Sequence, residues 1–261
     1  MNRLTLKLNQ LSSKGEKAFV PYIMAGDGGI EKLGETIKLL ESFGSSAVEI
    51  GIPFSDPVAD GPVIQKAGIR ALKKGTSLKE TLVQIGQARH QISIPIIIMT
   101  YVNPILAYGI EKFSHDCSAA GVDGCIIPDL PIEEESFIEP YLTEAGIELI
   151  RLVTLTTPIE RIEDISRKGN GFLYAVTVKG VTGGRTSFHE ELKSFLSKVS
   201  QVSRIPVLAG FGISTDEQAK ELASYCDGVI VGSKIVELLD EGNMEELEKL
   251  VSSLQKVAAP N

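Results

Sequence analysis

The chain has 261 residues, of which 43% are hydrophobic and 23% charged, with 26 Lys and Arg against 34 Asp and Glu for a formal net charge of −8. That length suits one large domain, and that composition supplies a full core, which excludes disorder as the main state. The acidic balance without basic runs makes a nucleic-acid backbone a poor partner, and the longest nearly unbroken apolar stretch, Ile94 to Met99, is far short of the about 20 residues a membrane helix needs.

Met1-Asn2-Arg3-Leu4 leads into polar alternation rather than a signal-like apolar stretch, and a first helix is expected over Leu4–Leu11. Runs rich in β-branched residues then recur at Ala18–Ala25, Ala47–Ile52, Ile94–Tyr101, Gly124–Ile127, Ile147–Thr154, Phe172–Val178, Ile205–Ala209 and Val229–Val231. Near-continuous apolarity marks parallel strands buried on both faces. Amphipathic stretches lie between them at Ile30–Phe43, Leu78–Gln91, Glu111–Ala120, Glu133–Ala145 and Glu190–Val202, with a further helix expected in Val63–Lys74. Capping boxes are expected at Ser77-x-x-Glu80, Thr157-Pro158-x-Glu160, Ser187-x-x-Glu190 and Ser214-x-x-Glu217, and glycine stops at Gly44, Gly75, Gly121, Gly146 and Gly169. Eight strands alternating with helices predict closure into a (β/α)8 barrel, with extra helices at the N-terminus and after the second strand. An open doubly wound sheet is the rival, but Ala25-Gly26-Asp27-Gly28-Gly29 does not match the dinucleotide fingerprint.

Cys117, Cys125 and Cys226 form no C-x-x-C pair, which fits a reduced, cytoplasmic compartment. His90, His115 and His189 stand apart from one another and from every cysteine, so neither a metal site nor a Ser-His-Asp relay is expected. Helix-surface positions suit all three.

In such a barrel, chemistry belongs at the C-terminal strand ends. The second strand alternates Val48, Ile50 and Ile52 on one face with Ala47, Glu49 and Gly51 on the other. The small face suits the lumen. A carboxylate there loses solvation, which raises its pKa toward neutrality and makes it a candidate proton carrier. The competing reading is a structural Glu paired with a basic residue of another strand. The stiff loop Pro53–Pro62 follows, with Asp56 facing solvent or a partner chain and Asp60 either capping a helix or meeting positive charge on a substrate nitrogen.

Glycines end the last three units: Gly180-Val181-Thr182-Gly183-Gly184, Gly210-Phe211-Gly212-Ile213-Ser214 and Val231-Gly232-Ser233. Their amides, with a helix beginning at Ser233, suit a phosphate; tight βα turns are the plainer reading. The long Gly-rich segment with Thr182 and Arg185 reads as a lid or as an ordinary surface loop. Asp129 sits at a strand end and suits turn initiation, while Tyr22, Tyr101 and Tyr174 suit either an aromatic pocket or the core.

Pro21-Tyr22-Ile23, Glu49 to Asp60-Gly61-Pro62, Met99-Thr100-Tyr101-x-Asn103-Pro104, Pro128-Asp129-Leu130-Pro131, Gly180-Val181-Thr182-Gly183 and Gly210-Phe211-Gly212-Ile213-Ser214 occur in that order. Together they resemble the tryptophan synthase alpha chain family over essentially the whole chain. The resemblance implies a single TIM-barrel domain over 1–261 that cleaves indole-3-glycerol phosphate into indole and glyceraldehyde 3-phosphate. It implies no metal and no cofactor in this chain. By it, Glu49 moves protons between indole C3 and the glycerol hydroxyl, and Asp60 stabilises the protonated ring. Phosphate falls to amides around Gly183, Gly212, Gly232 and Ser233; Thr182 belongs to the lid, and Tyr22 and Tyr174 to the pocket. The implied partner is a pyridoxal-phosphate beta chain in an α2β2 assembly, with Asp56 near the contact. Gly28 and Leu155 stand where the family commonly has Pro, and Thr177-Val178 where Ser-Arg is frequent. Another phosphosugar lyase or isomerase with Glu49 as sole base, or a phosphate-binding regulatory barrel, are the alternatives.

Overall fold

The apolar runs become eight short parallel strands: β1 (Ala18–Met24), β2 (Val48–Gly51), β3 (Ile96–Met99), β4 (Gly124–Ile126), β5 (Glu148–Thr154), β6 (Leu173–Val176), β7 (Val207–Gly210) and β8 (Gly228–Val231). They are seen in a computed structural model that describes residues 2–177, 185–210 and 212–255, with 185–189 described by backbone alone. The strands pair in sequence order, and β8 returns to β1 with Pro21 opposite Val231, so the sheet closes into a barrel.

Helices follow the strands: α1 (Arg3–Ser13), α2 (Leu33–Ser42), α3 (Pro62–Lys73), α4 (Leu78–Ala88), α5 (Val102–Tyr108), α6 (Ile110–Ala120), α7 (Glu139–Glu144), α8 (Ile159–Lys168), α9 (Arg185–Val202), α10 (Asp216–Ala223), α11 (Ser233–Glu241) and α12 (Met244–Val251). Alternation along the strands divides the core into two layers. Phe19, Ile23, Val48, Ile50, Ile96, Ile98, Val207 and Val229 pack outward under the helices, while Val20, Tyr22, Ile97, Ile126, Ile150, Tyr174, Leu208 and Ile230 fill the lumen. Each such aliphatic side chain contributes about 1.5–3 kcal/mol relative to exposure.

One mouth of the barrel is stoppered. Leu4, Leu8 and Leu11, spaced along one stripe of α1, are buried in the inner layer. Asn2 caps α1 through the Leu4 N–H at 2.8 Å and donates to the carbonyls of Asp123 and Gly146, and Arg3 pairs with buried Asp123 at 2.7 Å. These contacts hold α1 against the chain entering β4 and β5, at the N-terminal strand ends. The C-terminal ends carry the open mouth.

Local expectations are met unevenly. Ser77 and Glu80 form the full reciprocal box on α4. Thr157 does not cap α8; its hydroxyl instead accepts the Thr154 N–H at 3.0 Å, closing a turn at the end of β5 without the Pro common at position 155. Ser187 lies inside α9, which begins at Arg185 rather than near Glu190. The cap of α10 is Thr215, not Ser214, and the Ser214 N–H goes to the Gln218 side chain. Gly169 is extended rather than left-handed, and a Cβ there would lie 2.7 Å from Ile205. Gly28 has φ +86°, which Pro cannot adopt, so this β1–α2 loop takes a path closed to the commoner residue.

Candidate active site

Strand β2 carries Glu49 opposite Tyr22 of β1 and Ile97 of β3. The residue faces a cavity of about 240 Å³ at the open mouth, lined by Tyr22, Asp60, Tyr174, Gly212, Gly232 and Ser233 among others. Seven residues singled out in the sequence thus meet in one place. Thr182 and Gly183 lie outside the described residues, as do Val178, Gly180 and Phe211.

Glu49 is 1% exposed, and its Oε2 has no hydrogen-bond partner among the described residues. No basic side chain pairs with it among the described residues. Burial, and then the negative charge of Asp60, push its carboxyl up to about 8. Asp60 leaves the loop between β2 and α3. Gly61 occupies the N-cap of α3, with Pro62 at the first helical position, so Asp60 is not the cap. Burial raises its carboxyl to about 6, and a hydrogen bond from Tyr101 works against a further rise. The two acids therefore differ at neutral pH: Glu49 is mostly protonated and Asp60 mostly ionised. Environments that separate two carboxyl groups in this way define an acid and an anionic stabiliser.

Tyr101 has a larger part than sequence reading gave it. Its hydroxyl accepts the Ala59 N–H at 3.1 Å and acts on the neighbouring Asp60 carboxyl to hold it lower, and its ring lies 5.3 Å from that of Phe54. One buried side chain thereby holds both ends of the Asp60 loop. Tyr22 and Tyr174 lean across the lumen over glycines: a Cβ on Gly51 would overlap the Tyr22 hydroxyl, and one on Gly210 the Tyr174 hydroxyl. Burial and the nearby acids push both phenols well up, so they remain donors.

The other wall is made of main chain. Gly212 is left-handed at φ +77° with open space where a Cβ would stand. Gly232 caps α11 and Ser233 opens it; the first intrahelical bond runs from the Val236 N–H to the Gly232 carbonyl at 3.0 Å. The amides ahead of it lack helical acceptors, and the helix dipole adds positive potential, which together suit an anion. Lys234 does not serve the cavity, since its ammonium pairs with Glu246 at 3.1 Å. Gly61, Ile64, Met99, Ile213, Ser214 and Ile230 complete the lining, and none of them was read from sequence as a site residue, although Ser214 closes the Gly-rich motif after β7. Asp56 stands apart, exposed, taking a hydrogen bond from the Ser55 hydroxyl. A larger groove of about 570 Å³ runs outside the barrel between the β1–α2 loop and α11 and contains neither acid.

No cluster of three or more His, Cys, Asp or Glu that could hold a metal occurs among the described residues. A family model described as tryptophan synthase alpha chain matches residues 8–260. The chain belongs to the tryptophan synthase alpha chain family. A tryptophan synthase alpha chain of Bacillus cereus is 54% identical over 245 residues, covering 94% of this chain and 95% of the relative. One of Bacillus mycoides is 54% identical over 242 residues, covering 93% and 94%. Among solved structures, a tryptophan synthase subunit alpha of Legionella pneumophila superposes with TM-score 0.89 at 35% identity over 98% of both chains. A chain of aminoacrylate-bound tryptophan synthase from Mycobacterium tuberculosis gives TM-score 0.87 at 30% identity, covering 99% of this chain and 100% of that one. The alpha chain family likeness therefore spans the whole barrel, both acids included.

Proposed function

We infer that this chain cleaves indole-3-glycerol phosphate to indole and glyceraldehyde 3-phosphate in tryptophan biosynthesis, as the alpha subunit of an α2β2 assembly with a beta chain. The observation that carries the mechanism is the pair of buried, unlike acids facing one cavity. Protonated Glu49 gives its proton to indole C3, leaving an indolenine whose N–H positive charge meets the Asp60 carboxylate. Glu49, now ionised, takes the proton of the glycerol hydroxyl next to the ring. As that O–H bond breaks, the carbonyl of glyceraldehyde 3-phosphate forms, and the C–C bond electrons return to the ring. Indole leaves, and Glu49 is again protonated. An isomerase using a single base gives Asp60 no task.

The phosphate tail is assigned to the amides around Gly212, Gly232 and Ser233, joined by Gly183 on the strength of the family resemblance, which also gives Thr182 to a lid. Tyr22 and Tyr174 border the ring pocket. The chain's own side chains supply every proton transfer, and pyridoxal phosphate is assigned to the beta chain. Asp56 is assigned to the beta-chain contact, supported by its exposure on the same loop as Val58, which is 83% exposed. No helix among the described residues is long and apolar enough to cross a membrane. Cys117, Cys125 and Cys226 are buried free thiols, which supports work in the reducing cytoplasm.

An indole-release assay on Glu49→Gln and Asp60→Asn tests the assignment. Each is expected to lose about 100-fold or more in kcat with unchanged folding. Turnover by Glu49→Gln at the wild-type rate would end the proton-shuttle reading.

A further inference from the structure

We propose that Asp129 is a positioning residue for the Asp60 carboxylate, acting across the barrel rim through the first turn of α5 and the Tyr101 side chain. The proposal rests on the lyase reading above for the consequence of misplacing Asp60. It does not rest on that reading for the linkage itself.

Asp129 follows β4, in Pro128-Asp129-Leu130-Pro131, where a local turn is the ordinary expectation. Its side chain instead crosses to the neighbouring unit, where Oδ1 accepts the Val102 N–H at 3.0 Å. Val102 is the first residue of α5, a helix of seven residues whose N-cap, Tyr101, makes no side-chain capping bond. The cap therefore arrives from another strand end. Tyr101 has no short side-chain oxygen to cap its own helix; its side chain instead reaches the Asp60 loop, where its hydroxyl accepts the Ala59 N–H and its ring lies beside Phe54.

The main chain at Tyr101 is consequently held on both sides. The Thr100 N–H donates to the Ile126 carbonyl of β4 at 3.0 Å, and the Val102 N–H donates to Asp129. Both anchors lie on one segment, β4 and the turn after it. Removing the second frees the start of α5, and a small rotation at the Tyr101 Cα becomes a larger displacement at its hydroxyl. Misplacement of a catalytic group by about 1 Å is enough to cost about 100-fold, so partial loosening of this linkage is visible in kinetics. The titratable groups facing Asp60 are Glu49 of β2, Tyr22 of β1, Tyr174 of β6 and Tyr101. Of these, Tyr101 is the one that works against the rise of the Asp60 carboxyl, and it also holds the adjoining Ala59 N–H.

The test compares Asp129→Ala, Asp129→Asn and Tyr101→Phe in the full chain. Asp129→Ala is expected to lower kcat by about threefold to tenfold with KM within about twofold, and to move the acid limb of the pH–rate profile upward. Tyr101→Phe moves both in the same direction and further. Asp129→Asn is expected to restore wild-type behaviour, because its amide oxygen accepts the same N–H without the charge. Titration of the Asp60 carboxyl carbon by NMR reads the linkage without substrate, and an upward shift is expected in Asp129→Ala and Tyr101→Phe. A wild-type chain that released no indole would remove the lyase reading and leave this titration to decide the linkage. An Asp60 titration in Asp129→Ala that superimposes on wild type, or an Asp129→Asn variant as impaired as Asp129→Ala, would overturn the proposal.

Discussion

Glu49 owes its chemistry to an unfavourable position. A carboxyl among Ala47, Gly51 and two tyrosines has lost its water and stands near a second acid, and both effects favour the protonated form. The same displacement acts on stability. Between the ordinary carboxyl pKa of 4.5 and about 8, the unfolded chain gives up this proton and the folded chain keeps it, so stability falls as pH rises through that window. Asp60 adds a slope of the same sign between 3.8 and about 6. Denaturant unfolding from pH 5 to 8 is therefore expected to show falling stability in the wild type and a flatter line in Glu49→Gln. A variant with the wild-type slope would place the titration elsewhere. The rate follows the same two groups: kcat/KM is expected to be bell-shaped, with limbs near 6 and near 8, as a profile of initial rates measures.

Elements divide into those that hold the barrel together and those that handle substrate, and substitutions should separate the two. Ser77 and Glu80 cap α4, and neither lines the cavity. Ser77→Ala is expected to cost about 1 kcal/mol of stability in thermal or urea unfolding and to leave indole release unchanged. Gly212 has the opposite profile. Space exists for a methyl group, but φ +77° does not suit Ala, so the β7–α10 turn, whose amide is proposed to meet the phosphate, must relax. Gly212→Ala is expected to raise KM for the phosphorylated substrate about tenfold with a smaller change in kcat, measured by steady-state kinetics. The strands and amphipathic helices were legible in sequence because their spacing repeats locally. Caps were less legible: Thr157 and Ser214 each carry the right side chain near a helix start, but the Thr157 hydroxyl takes the Thr154 N–H and the cap of α10 passes to Thr215, while Ser187 falls inside α9.

At the scale of the molecule, the barrel is open at one end. Helix α1 fills the N-terminal mouth, so the acids, tyrosines and glycine turns all lie at the other rim, and exposed Val58 shares the loop after β2 with Asp56. Asp56→Ala is expected to weaken binding of a beta chain about tenfold or more, as titration calorimetry measures; unchanged affinity would remove Asp56 from the contact. The order of strands, the inward register of Glu49 and the glycine turns at the strand ends after β7 and β8 followed from sequence by itself, because side-chain alternation and turn chemistry are properties of a few consecutive residues. Only the tertiary structure decided that Glu49 has no counter-ion among the described residues, that Tyr101 takes the Ala59 N–H next to Asp60 and that Asp129 caps a helix it does not belong to. Those contacts join positions 42 and 27 residues apart, and no local pattern encodes a partner that barrel closure alone brings within reach.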